Sequence, residues 1–408
     1  MEQKLDIAYI LHAFPVLSQT FIVNQIIDMM EREHNLSIYS LYNIPPPYHQ
    51  CVIDSKLIDK TNYIRDVQSK RELFGIILHF LFSSPKLCWG VLSYILKVKL
   101  KEHQSLDTKL LLLANELRSN DFDIIHAHFG HTGAAIAQLK QWGLLPKAKL
   151  ITTFHGYDIH KPFLKHECYT SLFKTGDLFT VNSTFSMKQL IDLDCPIEKI
   201  YKLPVGLNIH LFQVLSSKNK TIEGIRILFI GRLMALKGPN RVVEICNELK
   251  NRNIKFNCII IGSGELHDTI TESIQTYRLE QSVQLIESIT QENLIPVMNN
   301  SDVFLYPGIY DSDGRAETQG LVIQEAQAMK LPVLIPDVGG MQEGILPNIT
   351  GFVMEENSIN AFADKIEYLY QNEDIRLKMG DAARNFVSEN YSIHRLGDKL
   401  EKLYMKMS

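Results

Sequence analysis

Short apolar runs alternate with amphipathic helical stretches along almost the whole chain. Ile7–Leu11, Leu36–Leu41, Ile124–His126, Leu150–Phe154, Leu178–Val181 and Ile200–Lys202 are the expected strands of a first series. Arg226–Ile230, Cys258–Ile261, Val283–Leu285, Val303–Tyr306 and Val333–Ile335 form a second. Strands separated by amphipathic helices predict βαβ units and parallel sheets. The first series ends near Lys202-Leu-Pro-Val-Gly-Leu-Asn208, and a polar stretch from Ser216 to Gly224 precedes the next strand. That composition shift is of linker type and places a boundary at about 205–222. Two Rossmann-like domains are therefore expected, over residues 1–205 and 206–392, followed by a closing helix over 393–406.

One segment departs from this regularity. Residues 71–101 read as two apolar helices joined at Ser84-Pro85, within a helical insert of about 65–118. From Arg65 to Glu102 seven basic residues face three acidic ones, a local charge of +4 in a chain that totals −4. Two readings stay open: a basic, apolar patch for a membrane surface, or a helical pair packed on the first sheet with solvated lysines.

Composition narrows the class. The chain has 408 residues, 45% hydrophobic and 22% charged, an ordinary globular balance with room for two domains. With no basic excess, a dedicated nucleic-acid binder is not expected. The cysteines at 51, 88, 168, 195, 246 and 258 are scattered and form no C-x-x-C pair, which suits free thiols in a reducing compartment. The N-terminus lacks a signal-peptide layout, and no apolar stretch reaches the ~20 residues that span a bilayer. A cytoplasmic protein is expected, with the cytoplasmic face of the inner membrane as a further location if the 71–101 patch binds lipid.

Chemistry concentrates between Gly314 and Gln342. Glu317 lies in a glycine-bearing loop and Glu325 inside an expected helix, Leu321 to Met329, eight positions later. Carboxylates accept hydrogen bonds from neighbouring hydroxyls, and a helix N-terminus beside Gly320 offers free N–H groups and partial positive charge. Sugar hydroxyls and phosphates together make a nucleotide sugar the expected ligand. Arg232 and Lys237, in Gly231-Arg-Leu-Met-Ala-Leu-Lys237, follow a strand, where they could neutralise a departing diphosphate.

The pattern E-x-x-G-L-V-x-x-E-A, from Glu317 through Glu325, then Pro332-Val, resembles the donor-site signature of the retaining glycosyltransferases of family 4, with Gln319 where a phenylalanine is common. The R-x4-K spacing of Arg232 and Lys237 matches the same family. Thr153-Phe-His155-Gly-Tyr-Asp158 resembles its F-H-G-x-D motif, and Ser18-Gln-Thr20-Phe-Ile the S-E-T-F-I of exopolysaccharide-type members.

The resemblance implies a GT-B architecture, two Rossmann-like domains facing across a cleft, with the last helix packing back on the first. It implies transfer of a hexose from a nucleoside-diphosphate sugar to a glycan or lipid-linked acceptor in cell-surface polysaccharide synthesis. Arg232 and Lys237 would stabilise the leaving diphosphate, Glu317 hold sugar hydroxyls, Glu325 the ribose, and His155 orient the sugar. Gly231, Gly264, Glu287, Gln319, Gly320, Leu321 and Val322 are further donor-site candidates. On the acceptor side stand His128, Gly130, Ser18, Thr20 and Asp158. Helix or turn capping is an equal reading for Ser18 and Thr20 and a fair one for Asp158.

Other motifs are read down. His126-x-His128 lacks a carboxylate or cysteine at ligand spacing, so no metal is expected there. Gly262-Ser-Gly264 lacks the third glycine of a dinucleotide fingerprint. Asp311-Ser-Asp313 reads as a solvated loop. No cofactor or essential metal is expected. An epimerase or phosphorylase on the same architecture is the rival enzyme reading, and a non-catalytic membrane scaffold the rival outside enzymes.

Overall fold

The apolar runs form strands because both faces of each sheet are covered, so no polar alternation is needed. In the computed structural model, residues 4–69, 71, 72, 74–76, 78, 104–118, 120–145, 147–160, 168–215 and 223–408 are described. The 71–101 patch and the start of the 216–224 linker lie almost wholly outside them.

The chain divides into two units. The first comprises Met1–Asn182, Ser186–Leu203 and Gly397–Ser408; the second comprises Ser183–Phe185 and Pro204–Leu396. The first holds strands β1 (Asp6–Phe14), β2 (Asn35–Asn43), β3 (Thr61–Tyr63), β4 (Ile124–His128), β5 (Lys149–Phe154), β6 (Leu178–Val181) and β7 (Ile200–Lys202). They form a seven-stranded parallel sheet in the order β3-β2-β1-β4-β5-β6-β7. The second holds β8 (Ile225–Ile230), β9 (Phe256–Ile261), β10 (Val283–Ile286), β11 (Val303–Leu305), β12 (Val333–Pro336) and β13 (Gly351–Met354). These form a six-stranded parallel sheet in the order β10-β9-β8-β11-β12-β13.

Each sheet reverses its strand order once, between β1 and β4 in the first unit and between β8 and β11 in the second. Open α/β sheets bind ligands at the carboxyl ends of the strands flanking such a reversal. The reversal therefore selects the loops after β1, β4, β8 and β11 as the places to look.

Every expected strand is present. Two further strands, β3 and β13, went unrecognised in the sequence. Both are edge strands; β3 is the polar triplet Thr61-Asn-Tyr63, and β13 opens on a glycine. The polar make-up of β3 and the shortness of β13 after its glycine leave too few periodic positions to reveal either.

The helices follow from apolar spacing and end signals. Pro239–Asn251 starts with proline at its first position, where a missing N–H costs nothing, and buries Val242, Val243, Cys246 and Leu249 along one stripe. The last helix, Ile393–Met407, buries Leu396, Leu400 and Tyr404 four residues apart. Its end from Gly397 onward belongs to the first unit. There Arg32 bridges Asp398 and Glu401 at 2.8 Å each, and His34 Nε2 meets Glu401 at 3.0 Å.

Deeper in that unit, Tyr404 Oη lies 3.0 Å from Tyr9 Oη and 2.5 Å from His126 Nδ1. His126 Nε2 continues the chain to Thr153 Oγ1 at 2.7 Å, and Thr153 to Thr180 at 2.6 Å. All five side chains are buried, so each hydroxyl depends on its neighbours for a partner. Tyr404→Phe removes the central hydroxyl, leaves His126 Nδ1 without its partner and leaves the Tyr9 hydroxyl with only the long bond from Gln25 at 3.4 Å. A loss of about 2 kcal/mol is expected, lowering the first unit's melting temperature by roughly 4–8 °C in calorimetry. An unchanged melting temperature would show that the network is dispensable.

Candidate active site

In the second unit the loops after β8 and β11 converge. Lys237 closes the short 3₁₀ turn Ala235–Lys237 that follows β8. Its ammonium forms an ion pair with Glu317 Oε2. Tyr306, the residue directly after β11, donates its hydroxyl to the same oxygen at 3.1 Å. Lys237 and Glu317 are each 15% exposed, so the pair is shielded yet within reach of a ligand.

Electrostatics fixes the charge of each partner. Burial alone would raise Glu317, but the Lys237 charge and its hydrogen bond, with help from Tyr306, hold the carboxyl below its usual range. Burial, then the Glu317 charge, pushes the Tyr306 hydroxyl well above its ordinary value, so it remains a donor. Tyr306 is itself held in an aromatic stack with Phe229 and Phe304, ring centroids 5.6 and 6.0 Å away. Sequence reasoning missed Tyr306; the only available signal was a tyrosine at a strand end on the sheet's reversal.

Two glycines keep the Glu317 loop in place. Gly339 has φ +60, and a Cβ there would stand 2.2 Å from the Glu317 carbonyl. The N–H of Gly340 donates to that carbonyl at 2.8 Å. Arg232 is exposed on the adjacent loop, and its guanidinium makes no hydrogen bond among the described residues. It is thus open to an anion, whereas Lys237 must first release or share Glu317.

Gly320 has φ +72 and opens the helix Leu321–Ala328. Leu321 and Val322 occupy its first turn, where backbone N–H groups lack intrahelical partners. Glu325, one turn further, is only partly exposed, and its carboxylate has no hydrogen-bond partner among the described residues. Burial pushes its carboxyl up to about 7.

Three donor-site candidates take structural roles. The Gln319 side chain is buried and bound within the protein: its Oε1 accepts from the Val205 N–H at 2.8 Å, and its Nε2 donates to the Val205 carbonyl at 3.0 Å and to Gln324 Oε1 at 3.5 Å. This amide clamp holds the segment after β7 against the Glu317 loop. Gly264, with φ +156, lies where a Cβ would be 2.5 Å from the Leu233 carbonyl, so it serves close packing of two loops. Gly231 donates its N–H to Ile261 at 3.0 Å in the same packing. Glu287 is exposed after β10, with His267 Nε2 at 3.7 Å. The Asp311 carboxylate is not simply solvated: it accepts from the Arg315 guanidinium at 2.5 Å and from the Arg315 and Asp313 N–H groups at 2.8 and 3.0 Å.

In the first unit, the loops after β4 and β5 meet. Asp158 is buried and braces them. One oxygen accepts the Gly130 N–H at 2.8 Å, and the other the His155 and Gly156 N–H groups at 3.0 Å each. Asp158 thus ties the start of the β4 loop to the β5 loop, and the Gly130 N–H is spent on it. His155 itself is partly exposed. Its Nε2 lies 3.0 Å from His128 Nδ1, and the rings stack at 5.3 Å between centroids.

His126 stacks in turn on His128 at 4.6 Å. Burial, reinforced by the neighbouring imidazole, drives His155 well below its ordinary value; burial brings His128 down to about 3. Both are neutral, so one donates and the other accepts. His128 is fully buried and supports His155 from behind instead of lining a surface. Ser18 is exposed and Thr20 partly so, and neither is an N-cap: those positions fall to Val16 and Gln19, while Thr20 is the C-cap of the short 3₁₀ helix Leu17–Gln19.

Among the described residues no helix is long and apolar enough to cross a membrane.

Comparison with known proteins agrees with this geometry. Residues 93–211 match the Glycosyltransferase Family 4 model, and residues 215–386 the model for Glycosyl transferases group 1. The chain is 28% identical over 368 residues to the amylovoran biosynthesis glycosyltransferase AmsK of Erwinia amylovora, covering 88% of this chain and 89% of AmsK. It is 27% identical to the putative colanic acid biosynthesis glycosyltransferase WcaL of Salmonella typhimurium, covering 89% and 90%.

In fold it is similar to a Rickettsia africae glycosyltransferase, with a TM-score of 0.74 at 21% identity and 99% of both chains covered. It is also similar to Anabaena HepE in complex with UDP, with a TM-score of 0.73 at 12% identity, covering 98% and 100%. With two parallel-sheet Rossmann units of the GT-B kind, a Glycosyltransferase Family 4 segment and a group 1 segment after it, the chain belongs to the glycosyltransferases.

Proposed function

We propose that the protein is a retaining hexosyltransferase that uses a nucleoside-diphosphate sugar. The second unit takes the donor and the first the acceptor, a hydroxyl of a glycan or lipid-linked saccharide. The observation that carries this reading is the Lys237–Glu317–Tyr306 cluster at the strand reversal of the second sheet, beside the start of helix Leu321–Ala328. A buried lysine held by a carboxylate is poised to exchange that partner for a phosphate, and the gain is largest as the leaving diphosphate becomes fully charged. Arg232 adds a second cation and the helix start its N–H groups.

Once Lys237 turns to phosphate, Glu317 is free to accept sugar hydroxyls, while Glu325 accepts those of the ribose. His155, neutral, orients the sugar. No side chain in either cluster is placed as a covalent nucleophile, which fits same-face attack assisted by the leaving phosphate. That the relatives are named for amylovoran and colanic acid biosynthesis supports a role in surface polysaccharide assembly. HepE in complex with UDP supports a uridine donor. No metal or cofactor is assigned a step, because Arg232 and Lys237 supply the neutralising charge. The 71–101 segment remains the candidate for contact with a membrane surface.

A thermal-shift screen of UDP-, GDP- and dTDP-sugars, followed by transfer assays read by anomeric NMR, tests the reading. One donor class is expected to raise the melting temperature and to yield product with the donor's own anomeric configuration. Inverted product would overturn the retaining assignment. A new sugar released without acceptor would indicate an epimerase, and phosphate-dependent cleavage a phosphorylase.

A further inference from the structure

Strand geometry stacks three imidazoles in the first unit. Side chains alternate along β4, so His126 and His128 share a face, and their rings lie 4.6 Å apart with planes 15° apart. His128 is in register with Thr153 of β5. His155, two residues beyond Thr153, brings its ring to 5.3 Å from His128 with planes 9° apart. Tyr9 of β1 adds a ring 5.8 Å from His128, while Phe21 and Phe129 hem in His155 at 4.7 and 4.6 Å. Enclosed in this way, neither His128 nor His155 turns freely.

Every ring nitrogen in the stack can be followed. His126 uses both of its own, Nδ1 on Tyr404 Oη and Nε2 on Thr153 Oγ1. His128 Nδ1 meets His155 Nε2 at 3.0 Å. His128 Nε2 is buried and has no hydrogen-bond partner among the described residues. His155 is partly exposed, and its Nδ1 makes no hydrogen bond to protein among the described residues.

His128 and His155 are both neutral, so each ring carries one proton, and a single choice sets the pair. With the proton of His128 on Nε2, a buried N–H would face no acceptor. With it on Nδ1, only a lone pair is left unpaired, which folded proteins tolerate more readily than an orphaned N–H. His128 then donates to His155 Nε2. That nitrogen must be bare, which forces the His155 proton onto Nδ1.

We infer that His128 is a positioning residue that locks His155 as its Nδ1–H tautomer, so that His155 offers a hydrogen-bond donor, and not a base, to a substrate oxygen. The inference rests on the transferase reading for its substrate and deepens it. With Nδ1 protonated and Nε2 occupied, His155 has no free lone pair to take the proton of an attacking hydroxyl. That proton must leave by another route, as the leaving phosphate supplies in same-face attack.

Long-range proton–nitrogen correlation NMR on the full chain with isotope-labelled histidine, at neutral pH and without substrate, reads the tautomer directly; His155→Gln assigns the signal. In the wild type, His155 Nδ1 is expected to resonate as a protonated, pyrrole-type nitrogen and Nε2 as a bare, pyridine-type one. The reverse pattern overturns the inference, and this reading needs no variant at His128 to fold. His128→Phe keeps a stacking ring and removes the donor. His155 should then populate the Nε2–H form as well, and transfer should fall by roughly ten- to a hundredfold, the size found for partners that fix the tautomer of a ligating histidine. An unchanged His155 pattern in His128→Phe would remove His128 from the role. Full transfer despite mixed tautomers would show that the Nδ1 proton is not used. The spectrum involves no donor sugar, so absence of transfer by the wild type would count against the transferase reading alone.

Discussion

Lys237→Ala is expected to lower transfer by about 10²–10³-fold, the magnitude seen when one preorganised donor to a developing anion is removed. The fall should appear in kcat as well as in kcat/KM, because the ammonium is most valuable when the diphosphate carries its full charge. The same change leaves Glu317 as a shielded carboxylate held only by the Tyr306 hydroxyl and a backbone hydrogen bond from Thr318. Stability should drop too, since breaking a buried pair costs more than the pair contributes. The double variant Lys237→Ala/Glu317→Gln separates the two effects. It removes the stranded charge, so its melting temperature should recover while transfer stays absent. Transfer above a tenth of wild type in Lys237→Ala, measured with the donor found by thermal shift, would remove the lysine from its role.

The second large effect concerns Glu325 and pH. In the folded protein burial raises this carboxyl from 4.5 to about 7, so between those values the native state holds a proton that the unfolded chain has released. Its contribution to stability is therefore most favourable below 4.5, declines as pH rises through 7, and is constant above. Glu325→Gln lifts that penalty. The variant should be more stable than wild type at pH 8, by at most ~3 kcal/mol, and equal to it near pH 4.

Donor binding should show the opposite sense. A carboxylate accepting ribose hydroxyls is needed in its ionised form, so binding releases a proton. Wild-type affinity should tighten as pH rises towards 7, by up to about tenfold per unit, and then level off. In Glu325→Gln the affinity should be weak and lose this slope. Calorimetric titration in buffers of different ionisation heat would reveal the proton directly; a pH-independent wild-type affinity between pH 5 and 7 would refute the ribose contact.

The two carboxylates show where sequence spacing stops being informative. Glu317 and Glu325 lie eight residues apart in one motif and resemble each other on paper. The structure gives them opposite electrostatics. Glu317 has Lys237 and Tyr306 and is pulled down; Glu325 has neither and is pushed up. The partners that decide this arrive from loops after other strands.

What the chain alone determined was the alternation that makes two parallel sheets, the loop positions of Arg232, Lys237, Glu317 and His155, and the helical position of Glu325. Both depend on local rules: apolar period, glycines at turns, helix starts. What only tertiary structure decided was which polar group is spent on what. Gln319 and Asp158 carry functional-looking side chains, yet the first is bound by Val205 and Gln324 and the second by three backbone N–H groups. Conversely Tyr306, unremarked in the linear pattern, gains meaning because it stands at the end of β11, where the second sheet reverses its order. Hydrogen-bond capacity is finite and is allotted across residues distant in sequence, so no reading of one segment can tell a ligand contact from a brace.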